Sequence, residues 1–406
     1  MEVLPRQTLL WLYALTLAAF AVQTDDFIII GVLPDLAADL RVSEGAAGQL
    51  VTVYSLVYAL TAPLWALLLS RVDRKQALLG ALGVFGAANF AVPFVDSFPV
   101  LMGLRVAAAL GSAVVLPAAL AAATSAAPPE RRGRYLATVM TGLTGAVLIG
   151  VPAGTYLGGA LGWQATFVFA GALGTVALLL IWAKVPHTPR PGVAPGIRVL
   201  LRPLQRRAVF LILLVTAVTV AGNLALQTYL APFLDGLASV TGTGLALLLV
   251  LSGAGGIVGT RFAGHIVDRH GALRALWSGG GLFCTGMVAF CALWVVRPVP
   301  VVLVAMLLVC WSAAAWAVPP AIQALMIDRV GPEGATQAMA LHSSSAYVGA
   351  ALGGALGGTL VGFDAGLLPL AAALLVGLAL GLVGFTLRED RVPSAREPKA
   401  EGSEVR

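Results

Sequence analysis

Twelve apolar stretches follow one another along this chain, separated by short polar breaks. They can be drawn at 8–34, 46–69, 77–95, 99–125, 134–160, 163–185, 208–234, 241–266, 273–296, 299–326, 335–362 and 365–387. A helix that crosses a bilayer needs about 20 predominantly apolar residues, and in lipid a helix satisfies its own backbone hydrogen bonds. The pattern predicts an all-α membrane protein with twelve transmembrane helices. The first stretch is longer than a signal-peptide core and has no obvious small-residue cleavage site, so it is expected to remain as helix 1.

Composition agrees with the pattern and charge adds a direction to it. The chain of 406 residues is 59% hydrophobic and 11% charged, where soluble domains carry about 25% charged residues. Arg71, Arg74 and Lys75 follow stretch 2, and Arg131, Arg132 and Arg134 follow stretch 4. Lys184, Arg190, Arg198, Arg202, Arg206 and Arg207 follow stretch 6, and Arg269 and Arg274 follow stretch 8. The alternate breaks hold Asp35, Asp39, Glu44, Asp96, Asp235 and Asp364 against Arg41 and Arg297. Lys and Arg mark cytoplasmic loops, which places both termini inside the cell. The basic excess is therefore a topology signal and not a nucleic-acid footprint. Cys284, Cys291 and Cys310 all fall in apolar stretches and read as packing residues.

The longest polar break runs from Pro186 to Arg207 and divides the chain into halves that echo each other. Pro34 and Pro232 close stretches 1 and 7 at an offset of 232 − 34 = 198, and Arg71 and Arg269 repeat it, 269 − 71 = 198. The pairs Gly158-Gly159 and Gly357-Gly358 lie 199 apart. The expected organisation is a six-helix bundle over 1–185, a cytoplasmic linker over 186–207, a second bundle over 208–387 and a disordered cytoplasmic tail over 388–406. Two such halves imply a rocking transporter with its site between them.

Asp25 and Asp26 stand inside the first apolar stretch. A charge at the bilayer centre costs about 2.5–3.5 kcal/mol on insertion scales, so an intramembrane acid is by default a functional group with a partner. Arg105 in stretch 4 is a cation that could pair with either acid, and sequence physics alone does not separate them. Adjacent helical residues point about 100° apart, so the two acids cannot face one cavity equally. Polar and aromatic residues in other stretches suggest cavity walls: Tyr54 and Tyr58 share a helix face, as do Asn223 and Gln227. Trp311, Trp316, Gln323, His342 and Ser343 to Ser345 are further polar or aromatic positions in stretches 10 and 11, of lower weight.

Several segments resemble the major facilitator superfamily, in its twelve-helix drug:proton antiporter branch. After stretch 8, Gly264-His-Ile-Val-Asp268-Arg269-His270-Gly271 is similar to the family's loop G-x-x-x-D-R-x-G-R-[RK]. After stretch 2, Ser70-Arg71-Val72-Asp73-Arg74-Lys75 resembles it with Ser70 in place of the acid and Asp73 in place of the glycine. The resemblance implies a conformational latch at Arg71, Arg74, Gly264, Asp268 and Arg269, with the second copy the stronger. Gly150-Val-Pro152-Ala-Gly154 in stretch 5 resembles the branch's antiporter motif, and Arg105 resembles its helix-4 arginine. Residues 24–34 (TDDFIIIGVLP), 162–167 and 228–234 (TYLAPFL) are similar to arabinose- and chloramphenicol-type efflux proteins, with Asp26 where those carry an acid and Gln164 where Arg is more usual.

The function expected from residues and resemblance together is proton-coupled antiport of a small organic molecule or drug out across the bacterial inner membrane. Asp26, Arg105 and Asp25 would handle the proton, and because Asp26 stands where the resemblance places an acid, Arg105 with Asp26 is the first pairing expected. A proton symporter importing a sugar or other nutrient is the alternative within the same fold. An enzyme is not expected, because the four histidines at 187, 265, 270 and 342 do not cluster with acids or cysteines. No metal site is expected, and no cofactor, since no G-x-x-x-x-G-K-[ST] loop is present. The expected partners are substrate, protons and the lipid bilayer, with no nucleic acid, and the chain is expected to act as a monomer.

Overall fold

The computed structural model describes residues 7–68, 72–128, 131–186, 202–331 and 335–389. They form fifteen α-helices, which account for twelve spans. In the first half these are α1 (Gln7–Ile28), α2 (Leu33–Asp39), α3 (Glu44–Leu68), α4 (Arg74–Ala91), α5 (Phe98–Ala126), α6 (Arg132–Gly145), α7 (Val151–Leu161) and α8 (Trp163–Lys184). The second half holds α9 (Arg207–Gln227), α10 (Leu230–Ala238), α11 (Gly242–His270), α12 (Ala272–Val295), α13 (Val301–Val330), α14 (Ala335–Val361) and α15 (Leu367–Glu389). Short α2 and α10 cap spans 1 and 7, and α6 and α7 together make span 5. Eleven helices among the described residues are long and apolar enough to cross a membrane. The remaining span, α14, has 27 residues, and its serines, His342 and glycines make it less apolar.

The two halves are built alike. In the first, α1 packs on α6 and α8, while α4 packs on α5 and α8. In the second, α9 packs on α14 and α15, while α12 packs on α13 and α15. The helix starts keep the offset seen in the sequence, 242 − 44 = 198 for spans 8 and 2 and 272 − 74 = 198 for spans 9 and 3. It then widens to 301 − 98 = 203, because α12 is longer than α4. The offset is thus constant over the first three spans and not over the whole half.

Pro34 and Pro232 do not close spans 1 and 7 directly. α1 gives way to a 3₁₀ turn at Ile29–Gly31, and Pro34 then opens α2, where a missing N–H is harmless. The helix starts at spans 3 and 9 use different chemistry at equivalent positions. Asp73 accepts the Lys75 N–H at 2.7 Å and caps α4, whereas Gly271 reaches φ 85° between α11 and α12. This accounts for the aspartate where the resemblance leads one to expect glycine.

We call the end holding Gln7 and Glu389 the near end and the opposite one the far end. The halves meet along α3 with α14 and along α7 with α11. At the far end α3 and α14 interlock. A Cβ on Gly45 would strike the Gly358 carbonyl, and one on Gly48 would strike the Tyr229 hydroxyl. The Tyr229 hydroxyl donates to Gly354 O at 2.9 Å and stands 3.4 Å from Gly45 O. The far end is closed. Of the expected linker, residues 187–201 lie outside the described residues, as do 390–406 of the tail.

Candidate functional site

The site begins with the glycines of span 5, which let α1 come close. Gly142 faces the Thr16 carbonyl, Gly150 faces Thr24, Gly154 faces Ile28 and Gly158 faces Val32, each with no room for a Cβ. Glycines four apart form a groove along one helix face, which a neighbouring backbone can enter in lipid. Between α6 and α7 the chain makes a π turn, Ala146–Gly150, in which the Val151 N–H reaches back to Ala146 O. Pro152 has no N–H to offer the helix here, and the wider turn absorbs that loss. The same turn meets Gly253 of α11 across the junction of the halves, 3.0 Å from the Val147 carbonyl to a Cβ placed there.

Held in this groove, span 1 is the most enclosed of the membrane helices, 72% buried. Asp25 and Asp26 occupy it at 0% and 8% exposure. Arg105 pairs with Asp25, not with Asp26 as expected. Its Nη1 donates to Asp25 Oδ2 at 2.8 Å and its Nη2 to the Asp25 carbonyl at 3.3 Å. The reason is the 100° between neighbours, which turns Asp25 into the first half and Asp26 toward the second. Tyr54 lies under the guanidinium, 4.4 Å from ring centroid to Cζ, and Phe167 lies at 5.6 Å. Arg105 is 1% exposed and about 10 Å, seven residues, into α5, so it does not reach out to the interface. Asp25 Oδ1 and Arg105 Nε have no hydrogen-bond partner.

Asp26 makes the contact that joins the halves at mid-depth. Its Oδ2 accepts from the Tyr347 hydroxyl of α14 at 3.1 Å. The Tyr347 ring stacks on Tyr58 of α3, with centroids 3.8 Å apart and planes 18° off parallel. Tyr54 and Tyr58, expected on a cavity wall, are thus both committed to the acids and their partners. Tyr347 and the buried Asn89, which donates to Phe85 O at 3.0 Å and neighbours Asp25, went unremarked in the sequence. Neither differs from ordinary packing residues by spacing or charge.

A narrow, partly open cleft of about 30 Å³ lies between the halves next to this cluster. Phe27, Ile30, Val147 and Val151 line it from the first half, and Leu230, Leu249, Trp311 and Trp316 from the second. Its polar side chains are Gln227, Ser252 and Ser312, and none of its lining residues is charged. Gln227 lines this cleft, and Asn223 stands behind it, donating to Gln227 Oε1 at 2.8 Å. The Trp311 indole N–H is buried without a partner.

The loop residues expected to form a latch lie apart from the cluster. Arg74 donates to the Ala121 carbonyl at 2.8 Å, a bond within the first half. Asp268 and Arg269 are exposed, Gly264 has open space where a Cβ would go, and Arg71 lies outside the described residues. Pro152 and Gly154 are buried in the span 5 groove. No group of three or more potential metal ligands occurs among the described residues.

Comparison with known proteins bears on the whole arrangement. The family model described as Major Facilitator Superfamily matches residues 15–354 and 238–405. The chain is 35% identical over 385 residues to a chloramphenicol resistance protein of Streptomyces lividans, covering 93% of this chain and 96% of that one. It is 30% identical, with the same coverage, to the inner membrane transport protein YdhP of Escherichia coli (strain K12). Among solved structures, a bacterial homolog of the human lysosomal transporter Spinster, inward-facing and occupied, superposes with a TM-score of 0.76 at 19% identity, over 97% of this chain and 100% of that one.

Proposed function

The chain belongs to the major facilitator superfamily, and from that premise we propose that it is a proton-coupled antiporter exporting a small, weakly polar organic molecule. It is a transport protein of the membrane and not an enzyme. The observation that carries the proposal is the pair of adjacent buried acids on α1. One is held by Arg105 within the first half, and the other reaches across to the second half beside an uncharged cleft. Protons and cargo would then act on the same helix from neighbouring turns, since Phe27 and Ile30 of the cleft follow Asp26 directly. The Streptomyces relative named for chloramphenicol resistance supports export, and the apolar lining suits such cargo better than a sugar.

In this reading the near end is cytoplasmic, the membrane is the bacterial inner membrane, and the structure is the far-end-closed state that loads cargo. Cargo enters the cleft while Asp26 is ionised. The halves rock, cargo leaves on the far side, and a proton from that side neutralises Asp26 for the return. Asp25 stays with Arg105, whose charge keeps the cluster from holding two protons at once. One charge crossing 100 mV is worth about 2.3 kcal/mol, so one proton per cargo sustains a gradient of roughly 50-fold from potential alone.

The test is reconstitution into liposomes with a pH-sensitive dye inside and chloramphenicol, cationic dyes and sugars as trial cargo. Cargo-triggered proton counterflow that is lost in Asp26→Asn is the expected result. Proton movement in the same direction as a sugar would establish the symporter instead. Counterflow that survives Asp26→Asn and fails in Asp25→Asn would move the proton to the ion pair.

A further inference from the structure

We propose that Tyr347 is the residue through which the second half senses the proton: the bond from its hydroxyl to ionised Asp26 holds the empty, unprotonated carrier with its far end closed. The proposal rests on the reading of Asp26 as the proton carrier. An antiporter must forbid one step in particular. If the carrier with its far end closed could open outward with neither cargo nor proton aboard, it would take up a proton there and carry it in with no cargo taken out, and coupling would be lost. Something must therefore oppose that step only while Asp26 is ionised and the cleft is empty.

The Asp26–Tyr347 contact has the properties this requires. It joins opposite halves, α1 to α14, at mid-depth and not at a loop. It depends on charge, because a hydroxyl bonds an ionised carboxylate about twice as strongly as a neutral acceptor. Taking a proton onto Asp26 Oδ2 removes the charge and puts a competing hydrogen at the accepting atom. Tyr347 is aimed by the stacked Tyr58 ring, which belongs to the first half, so the tyrosines form a second joint in the same place. Among the described residues, the charged or titratable groups facing this point are Asp25 on α1, Arg105 on α5, Tyr54 and Tyr58 on α3, and Tyr347 on α14. Arg105 is already occupied by Asp25, which leaves Tyr347 as the partner to Asp26. Cargo in the adjacent cleft touches Phe27 and Ile30, which follow Asp26 on the same stretch of chain, and so can release the bond without a proton.

Tyr347 acts through Asp26 and is a positioning residue, so the test reads conformation as well as transport. In the full chain with its three cysteines replaced by alanine, spin labels at Asp96→Cys and Phe363→Cys report the far-end distance between the halves. Without cargo, the native site is expected to give the short distance at pH 8 and a mixture with a longer one at pH 5. Tyr347→Phe keeps the stacked ring and removes the hydroxyl. It is expected to raise the open-to-closed ratio at pH 8 by roughly ten- to a hundredfold, the scale of one hydrogen bond to a charged group, and to flatten the response to pH. In liposomes the same variant should still exchange chloramphenicol down its gradient while failing to accumulate it against a pH gradient. A pH response in Tyr347→Phe equal to that of the native site overturns the proposal, as does a native distance that does not change with pH. Should the distances behave as expected while no trial cargo drives proton counterflow, the interlock stands and the antiport reading fails.

Discussion

Spans 1 and 7 sit in equivalent grooves. α1 lies against Gly142, Gly150, Gly154 and Gly158 of span 5, and α9 lies against Gly349, Gly353 and Gly357 of α14, which back onto Ala217, Ala221 and Ala225. The chemistry placed in the grooves differs. Moving Asp25 by the repeat offset, 223 − 25 = 198, lands on Asn223. The later offset carries Pro117 of α5 to Pro320 of α13, 320 − 117 = 203, and carries Arg105 to Leu308, 308 − 105 = 203. The second half keeps the groove and the helix-interior proline while an amide and a leucine replace the ion pair. Its own buried polar cluster holds no carboxylate: His342 Nδ1 lies 3.2 Å from the Thr216 hydroxyl, and its Nε2 lies 3.4 Å from Gln323. One half carries charge and the other supplies the tyrosine that meets it, so the groove is scaffold and the acids are what the first half adds to it.

The largest effect should come from breaking that difference at Arg105. Arg105→Met leaves Asp25 buried with no counter-charge, at a cost of about 3–5 kcal/mol. Thermal unfolding in detergent should show it as a large drop, with much of the loss recovered in Asp25→Asn/Arg105→Met. The mirror substitution Leu308→Met keeps volume and apolarity and should cost under about 1.5 kcal/mol. Equal losses at the two positions would mean that the ion pair is ordinary packing.

The grooves themselves are tested next. Gly150→Val and Gly353→Val both push a side chain into a filled contact, Thr24 in one case and Ala221 in the other. Each should cost about 1–3 kcal/mol. Stability should fall alike, whereas proton counterflow in liposomes should suffer more from Gly150→Val, which displaces the helix that carries the acids. An equal loss of counterflow would show that the proton site is insensitive to how α1 is seated.

How much of this was legible beforehand follows from the same contrast. Apolar length and charge sorting are properties of the sequence, so the twelve spans could be drawn with α14 among them, although its Ser343–Ser345 and His342 dilute its hydropathy. Asp25, Asp26 and Arg105 were visible because charge in an apolar run is costly and needs a reason. Their pairing was not, because it depends on the 100° between neighbours and on which helix each faces once α1 is seated. Tyr347 was invisible because a tyrosine in a membrane helix is ordinary. Only the closure of α3 on α14 gives its hydroxyl a carboxylate. The π turn at Ala146–Gly150 follows from Pro152, yet Pro117 and Pro320 sit within helices that continue through them, so a proline alone does not announce it.

A smaller change builds an acid where the second half has none. Asn223→Asp removes the amide that donates to Gln227 Oε1, but the Gln227 amide can turn over and donate in its place. The expected cost is about 1 kcal/mol, read as a slight fall in thermal stability. Binding of whichever trial cargo drives counterflow in liposomes, measured by calorimetry at pH 8 and pH 5, should gain a pH dependence at this half in an Asp26→Asn background. If binding stays flat with pH, the second half cannot host a proton even when given an acid, and its neutrality reflects the lack of an Arg105 counterpart.

The smallest expected effect lies at the far end, where the repeat is least symmetrical. Tyr229 corresponds by the offset, 229 − 31 = 198, to Gly31, which packs against Thr155. The hydroxyl that ties α9 to Gly354 O and lies against Gly45 thus has no counterpart in the first half. Tyr229→Phe keeps the ring, which fills the space beside Gly357, and removes one neutral hydrogen bond worth about 0.5–1.5 kcal/mol. The far-end-open fraction, read with the labels at positions 96 and 363, should rise roughly two- to tenfold and by the same factor at pH 8 and pH 5. That uniformity separates the two tyrosines. A bond to a backbone carbonyl carries no proton and can only bias the closure, whereas the bond from Tyr347 meets a group that titrates. A pH-dependent shift in Tyr229→Phe would mean that the far-end closure and the acid cluster are one cooperative unit, with the sensing no longer assignable to Tyr347 alone.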